Sequence, residues 1–242
     1  MNLLLFGENA QGQAEFIGSV TTPDNHFGSG DIPLSADNYN LFPANSILHL
    51  PIVLGAIGFF HSVPTGDKKL NLTPCVLAKI LNRDITDWSD SEIIELNPDL
   101  SLPSPYPITV AHRVQGSSST KSITQYLNQA CSDEWPDTLV GSTINWKTDT
   151  VGCEGSAGMT ECINTVPGTI GYIDAGHGHA QGLQEVELRN ADGYYVSSKE
   201  ANENGGIMDA TNTAGLPDEL DGSFANVNLL NQVSTKYLSN LC

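Results

Sequence analysis

The chain has 242 residues, 39% of them hydrophobic, and sets 10 Lys and Arg against 28 Asp and Glu, for a formal net charge of −18. Such a length can bury a substantial core as one large domain or two modest lobes, and the composition excludes general disorder. The charge argues strongly against nucleic acid and anionic membranes as partners, though not against a small anion held by local N–H and O–H dipoles.

No run of about eighteen apolar residues occurs, so no membrane-spanning helix is expected. Met1-Asn2-Leu3-Leu4-Leu5-Phe6 reads as a strand; it is too short, and lacks the basic lead, for a signal peptide. Gly7 to Gly12 is a polar loop, and Ala14-Glu15-Phe16-Ile17 opens a short helix. Phe27 to Ser35 places one acid, Asp31, in a small-residue turn, where it serves either the turn itself or a site. The apolar, glycine-rich segment Leu48 to Phe60, broken by Pro51, predicts a buried strand.

Thr73-Pro74 caps a helix whose buried face is Val76, Leu77, Ile80 and Leu81, and Ser89-Asp90-Ser91-Glu92 starts another. Ile108 to Ala111 is β-branched and strand-like, and Ile123, Tyr126, Leu127 and Ala130 follow with helical spacing. Between them lies Arg113-Val114-Gln115-Gly116-Ser117-Ser118-Ser119-Thr120. A strand end and a helix start joined this way can cradle an anion, with serine hydroxyls and first-turn N–H groups as donors and Arg113 as a planar charged donor. An ordinary serine cap is the alternative reading.

Gly152 to Ile163 reads as a loop running into a short helix, Thr169 to Ile173 as a strand, and Gln184 to Val196 as a hairpin around Ala191-Asp192-Gly193. His177 and His179 are expected as exposed loop residues rather than metal ligands. Residues 200–223 show no periodicity and predict a loop. Strands alternating with helices predict an α/β fold with a mostly parallel sheet. Cys75, Cys131, Cys153, Cys162 and Cys242 fit neither a zinc spacing nor a redox pair. Two disulfides with one free thiol, or five buried thiols, both remain open.

Taken in order, these segments resemble the phosphate-binding proteins of bacterial ABC phosphate transporters, a class II periplasmic binding protein family. Phe27 to Ser35 is similar to the family's FGASDAPLS, Leu50 to Gly55 to FPTVIGG, and Ile85-Thr86-Asp87-Trp88 with Leu96-Asn97-Pro98 to its I-x-x-W-D…LNP stretch. Arg113 to Ser119 is similar to R-x-D-G-S-G-T, Pro167 to Tyr172 to PGAIGY, and Ala191 to Gly193 to the late ADG turn. The resemblance implies a two-lobed type II α/β fold whose first lobe is incomplete. Residues 1–61 would form that partial lobe with the Asp31 loop. Residues 62–242 would form the second lobe with Arg113–Thr120, their C-terminal part returning towards the first.

It further implies inorganic phosphate bound by Asp31, Arg113, Ser117, Ser118 and Ser119, with Asn9 or Ala10 near an earlier serine ligand of the family. It implies a non-enzymatic role in uptake, an ABC transporter permease as partner, a periplasmic or extracellular location, and no cofactor or metal. Gln115 stands where the family has aspartate and Ser118 where it has glycine. The likeness begins after the family's first strand and stops before its closing elements, so a fragment, a misjudged gene boundary or one module of a larger tandem protein is expected. A sensing or surface module, a homologue that has lost binding, and a serine-dependent phosphatase are the alternatives.

Overall fold

The computed structural model describes residues 3–4, 9–18, 27–203 and 215–227. The N-terminal part is slight. β1 (Leu3–Leu4) pairs in parallel with β2 (Phe27–Gly28), and between them runs α1 (Asn9–Phe16), which starts five residues earlier than Ala14. The Asp31 loop follows β2, and Gln13 of α1 holds it by donating from Nε2 to the carbonyls of Ile32 and Pro33. Ser35 then caps α2 (Ala36–Tyr39), its Oγ accepting the Asn38 N–H at 3.2 Å.

Residues 48–56 form no strand, and Ile52 and Val53 are 87% and 88% exposed. Only the end of the predicted apolar strand pairs, as β3 (Ile57–His61). Periodicity could not reveal this, because whether an apolar run is buried depends on what lies beside it. The stretch 215–227 packs back on this region. His49 N–H donates to Leu220 O at 2.9 Å, Tyr39 Oη donates to Asp221 O, and the His49 ring lies 5.2 Å from that of Phe224.

The body of the molecule is a seven-stranded sheet. β4 (Leu70–Leu72) leads into α3 (Pro74–Leu81), which Thr73 caps and Pro74 opens, with Val76, Leu77, Ile80 and Leu81 buried as their spacing predicts. α4 (Ser91–Leu96) is capped by Asp90, whose carboxylate accepts the Glu92 N–H at 2.9 Å. β5 (Thr109–Arg113) turns into α5 (Ser118–Ala130), and β6 (Val151–Cys153) into α6 (Gly155–Thr165). The loop predicted from Gly152 is therefore an edge strand at its start.

β7 (Thr169–Asp174) is followed by α7 (Ala175–Ala180), β8 (Gln184–Arg189), β9 (Tyr195–Val196) and α8 (Ser198–Glu203). β8 and β9 form the predicted hairpin, with Leu188 opposite Val196. α8 opens the stretch predicted as a loop; residues 204–214 and Cys242 lie outside the described residues.

The strand order is β4-β8-β3-β7-β5-β6, with β9 beside β8. Pairing is parallel for β4–β8, β5–β6 and β5–β7 and antiparallel for β3–β7, β3–β8 and β8–β9, so the sheet is mixed rather than mostly parallel. The sequence pattern missed this because β3 enters the sheet without a preceding helical crossover. β3 stands inside this sheet, and its last residue, His61, is the one at which the first lobe is expected to end.

The core on one face gathers Leu70, Leu77, Ile80, Trp88, Ile93 and Tyr172, and a smaller cluster around Phe60, Met159 and Ile163 fills the other. Each such side chain stabilises the fold by roughly 1.5–3 kcal/mol through burial. Disulfides Cys75–Cys131 and Cys153–Cys162 close this body, the first tying the start of α3 to the end of α5.

Candidate functional site

The C-terminal ends of β5 and β6 and the start of α5 build the site. Arg113 ends β5 opposite Cys153 of β6, and Val114 N–H then donates to Cys153 O at 3.2 Å. Gly116 makes the turn under the 142–143 segment, where an added Cβ would stand 2.9 Å from Thr143 Oγ1. The Ser117 N–H donates to Ser142 O at 2.9 Å, which fixes where the helix begins.

Ser117 is the cap of α5, its Oγ accepting the Thr120 N–H at 2.9 Å. The cap and cradle readings are therefore compatible. Ser118 and Ser119 occupy the first two helical positions, where backbone N–H groups have no partner within a helix and the dipole is positive.

The structure brings the predicted acid to this helix start. Ser118 Oγ donates to Asp31 Oδ2 at 2.9 Å, across 87 residues of sequence. Asp31, Arg113, Ser117, Ser118 and Ser119 thus collect on one turn and the loop facing it; the side chains of Asn9 and Ala10 lie outside the described residues. Arg113 enters no ion pair among the described residues, whereas Arg83 pairs with Asp149 at 2.9 Å. Arg113 Nε is moreover buried without a hydrogen-bond partner among them. A charged donor in that setting is costly unless an acceptor comes to it.

Three neighbours escaped the sequence reading. Trp146 stacks on His112 at 4.9 Å and on Tyr172 at 6.2 Å, and a groove of ≈ 370 Å³ lined by His112, Arg113, Thr143, Trp146, Lys147 and Thr150 adjoins the turn. Burial lowers the pKa of His112, so at neutral pH it adds no charge beside Arg113. Tyr172 closes the turn from beneath, accepting the Arg113 N–H at 3.1 Å. Trp146 sits in a stretch without periodicity, and Tyr172 reads as one more core aromatic of a strand, so neither left a local signal.

His177 and His179 are not exposed loop residues. Both lie half-buried on α7, His177 Nε2 at 3.2 Å from Thr160 Oγ1 and His179 Nε2 at 3.0 Å from Glu185 Oε2. Asp174 caps that helix by accepting the His177 N–H, a signal hidden by the glycines around the histidines.

The model of the PBP superfamily domain matches residues 8–228. The phosphate-binding protein PstS of Methanocaldococcus jannaschii is 30% identical over 199 residues, which cover 78% of this chain and 50% of that protein. PstS of Haemophilus influenzae is 30% identical over 172 residues, 70% of this chain and 50% of that one. The chain therefore spans about half the length of these curated relatives.

Among solved structures, a high affinity periplasmic phosphate-binding protein bound with phosphate superposes with a TM-score of 0.63 at 20% identity, over 87% of this chain and 60% of that one. An ancestral soluble variant of the human phosphate binding protein gives 0.62 at 21%, over 88% and 62%. At that identity the superpositions establish the fold, an α/β fold shared with type II phosphate-binding proteins.

Proposed function

The chain belongs to the PBP superfamily, and from that premise we propose that it binds inorganic phosphate between the Asp31 loop and the Arg113–Thr120 turn, as the substrate-binding component of phosphate uptake. The observation that carries the reading is the Ser118–Asp31 hydrogen bond, which sets an acceptor carboxylate against a cluster of donors. Arg113, the Ser117 hydroxyl and the N–H groups of Ser118 and Ser119 supply positive potential and hydrogens to the anion's oxygens. Asp31 supplies the discrimination. Its carboxylate accepts a hydrogen bond from a protonated phosphate oxygen, whereas sulfate has no proton to give and would set two negative groups in contact.

In this reading the described residues of the first 56, with 215–227, form one wall and the large sheet the other, and they close on the anion by a hinge motion. It further places the protein outside the cytoplasm, handing phosphate to an ABC transporter permease. Two disulfides suit an oxidising compartment, and among the described residues no helix is long and apolar enough to cross a membrane. A serine phosphatase is less well supported. The Ser117 and Ser118 hydroxyls are engaged by Thr120 and Asp31, not by a histidine base.

Calorimetric titration of the purified chain with phosphate, sulfate and arsenate, beside a phosphatase assay, tests this. Phosphate and arsenate are expected to bind well above sulfate, and Asp31→Asn to narrow that gap by at least about tenfold, the weight of one hydrogen bond involving a charged group. A chain that binds none of the three has lost the function of its relatives. Turnover abolished by Ser118→Ala would replace the binding role with an enzymatic one.

A further inference from the structure

The phenol of Tyr172 lies fully buried on β7 behind the anion-facing turn, and its ring packs between Phe59 and Trp146. Its Oη accepts the Arg113 backbone N–H at 3.1 Å and stands 2.7 Å from Thr120 Oγ1. Thr120 Oγ1 in turn stands 3.0 Å from Ser117 Oγ, which already accepts the Thr120 N–H. Thr120 is itself buried, and Ser117 is only 5% exposed.

These hydroxyls can be oriented in two ways; each leaves one hydroxyl hydrogen without a partner, and the two differ in where that hydrogen lies. Each carries one hydrogen and two lone pairs. If Ser117 donated to Thr120 and Thr120 to Tyr172, the phenol oxygen would receive two hydrogen bonds and its own hydrogen would have no acceptor among the described residues. A buried donor left unpaired is the expensive arrangement. Burial also raises the Tyr172 pKa, so the phenol keeps that hydrogen at neutral pH. In the opposite order Tyr172 donates to Thr120 and Thr120 to Ser117, and the hydrogen left over is that of Ser117, the least buried of the three hydroxyls, where a ligand oxygen can accept it. Both lone pairs of Ser117 Oγ are then filled by Thr120, once from its hydroxyl and once from its N–H.

We propose that Tyr172 is a positioning residue for anion recognition: through Thr120 it presents the Ser117 hydroxyl as a donor only, and through the Arg113 N–H it holds the end of β5 at a set distance from the helix start. A donor-only serine suits a ligand made of acceptor oxygens and rejects one that must donate there. The inference rests on the phosphate-binding reading and adds residues that do not touch the ligand.

Tyr172→Phe removes one oxygen and keeps the packed ring. In the whole chain it is expected to weaken phosphate binding about three- to tenfold, as the loss of one oriented hydrogen bond does. Thr120→Ser, which keeps the hydroxyl, is expected to bind as the unaltered chain does, and Thr120→Val to lose affinity as Tyr172→Phe does. A double-mutant cycle supplies the readout that mere loss of stability would not move. Losses from Tyr172→Phe and Ser117→Ala should combine to clearly less than their product, because both act on one donor. Unaltered affinity in a folded Tyr172→Phe chain, or losses that multiply independently, would overturn the proposal. Absence of phosphate binding by the unaltered chain would instead remove the reading beneath it.

Discussion

The two walls that meet at the Ser118–Asp31 hydrogen bond are built to different standards. The Arg113–Thr120 wall hangs from a seven-stranded sheet with two buried clusters, and disulfides lock the far end of α5 and the end of β6. The Asp31 wall rests on two paired residues of β2, a few side-chain bonds from Gln13 and the return of 215–227; among its described apolar side chains only Leu34 and Phe224 are buried. Beside it, Leu48, Leu50, Ile52 and Val53, close together in sequence, are all at least 60% exposed. The donors of the proposed site are thus preorganised by a core, whereas the proposed acceptor is held by local hydrogen bonds.

The comparison is broken most directly at the disulfide. Replacing Cys75 and Cys131 with serine opens a loop spanning 56 residues and should cost about 4 kcal/mol in denaturant unfolding. A change below about 1 kcal/mol would mean that the sheet wall owes its rigidity to packing alone.

Acid tests the same wall through His61. Burial depresses its pKa to about 4 from 6.5, and its Nδ1 accepts the Val63 N–H at 3.1 Å, which requires the neutral ring. Between those values only the unfolded chain takes up the proton. Stability should therefore fall as pH drops from 6.5 towards 4, by about 3 kcal/mol over the window, and this contribution should level off below it. His61→Asn should flatten that part of the profile, read by thermal unfolding at a series of pH values.

Arg113→Ala sharpens the contrast at the site itself. Phosphate affinity should drop about 100-fold, the upper range for a hydrogen bond to a charged group, while the melting temperature barely moves because Arg113 makes no ion pair among the described residues. The smallest effect is expected on the weaker wall. Ile52→Ser with Val53→Ser should leave unfolding within about 0.5 kcal/mol, since both side chains already meet solvent, and should reduce binding of a hydrophobic dye. A large loss of stability would show that the segment is covered in solution.

Local chemistry determined much of this protein before any folding was considered. Thr73 before Pro74, Asp90 before Ser91, and the spacing of Val76, Leu77, Ile80 and Leu81 set two helices, since caps and periodicity act within one or two turns. The serines after Arg113 marked the donor half of the proposed site for the same reason. Tertiary structure alone decided what depends on partners distant in sequence. It brought Asp31 to Ser118, placed Tyr172 beneath the turn, and put β3 at the centre of the sheet while leaving Ile52 and Val53 outside it. A side chain's type states what it can bond or bury, and only the packed chain states what stands opposite it.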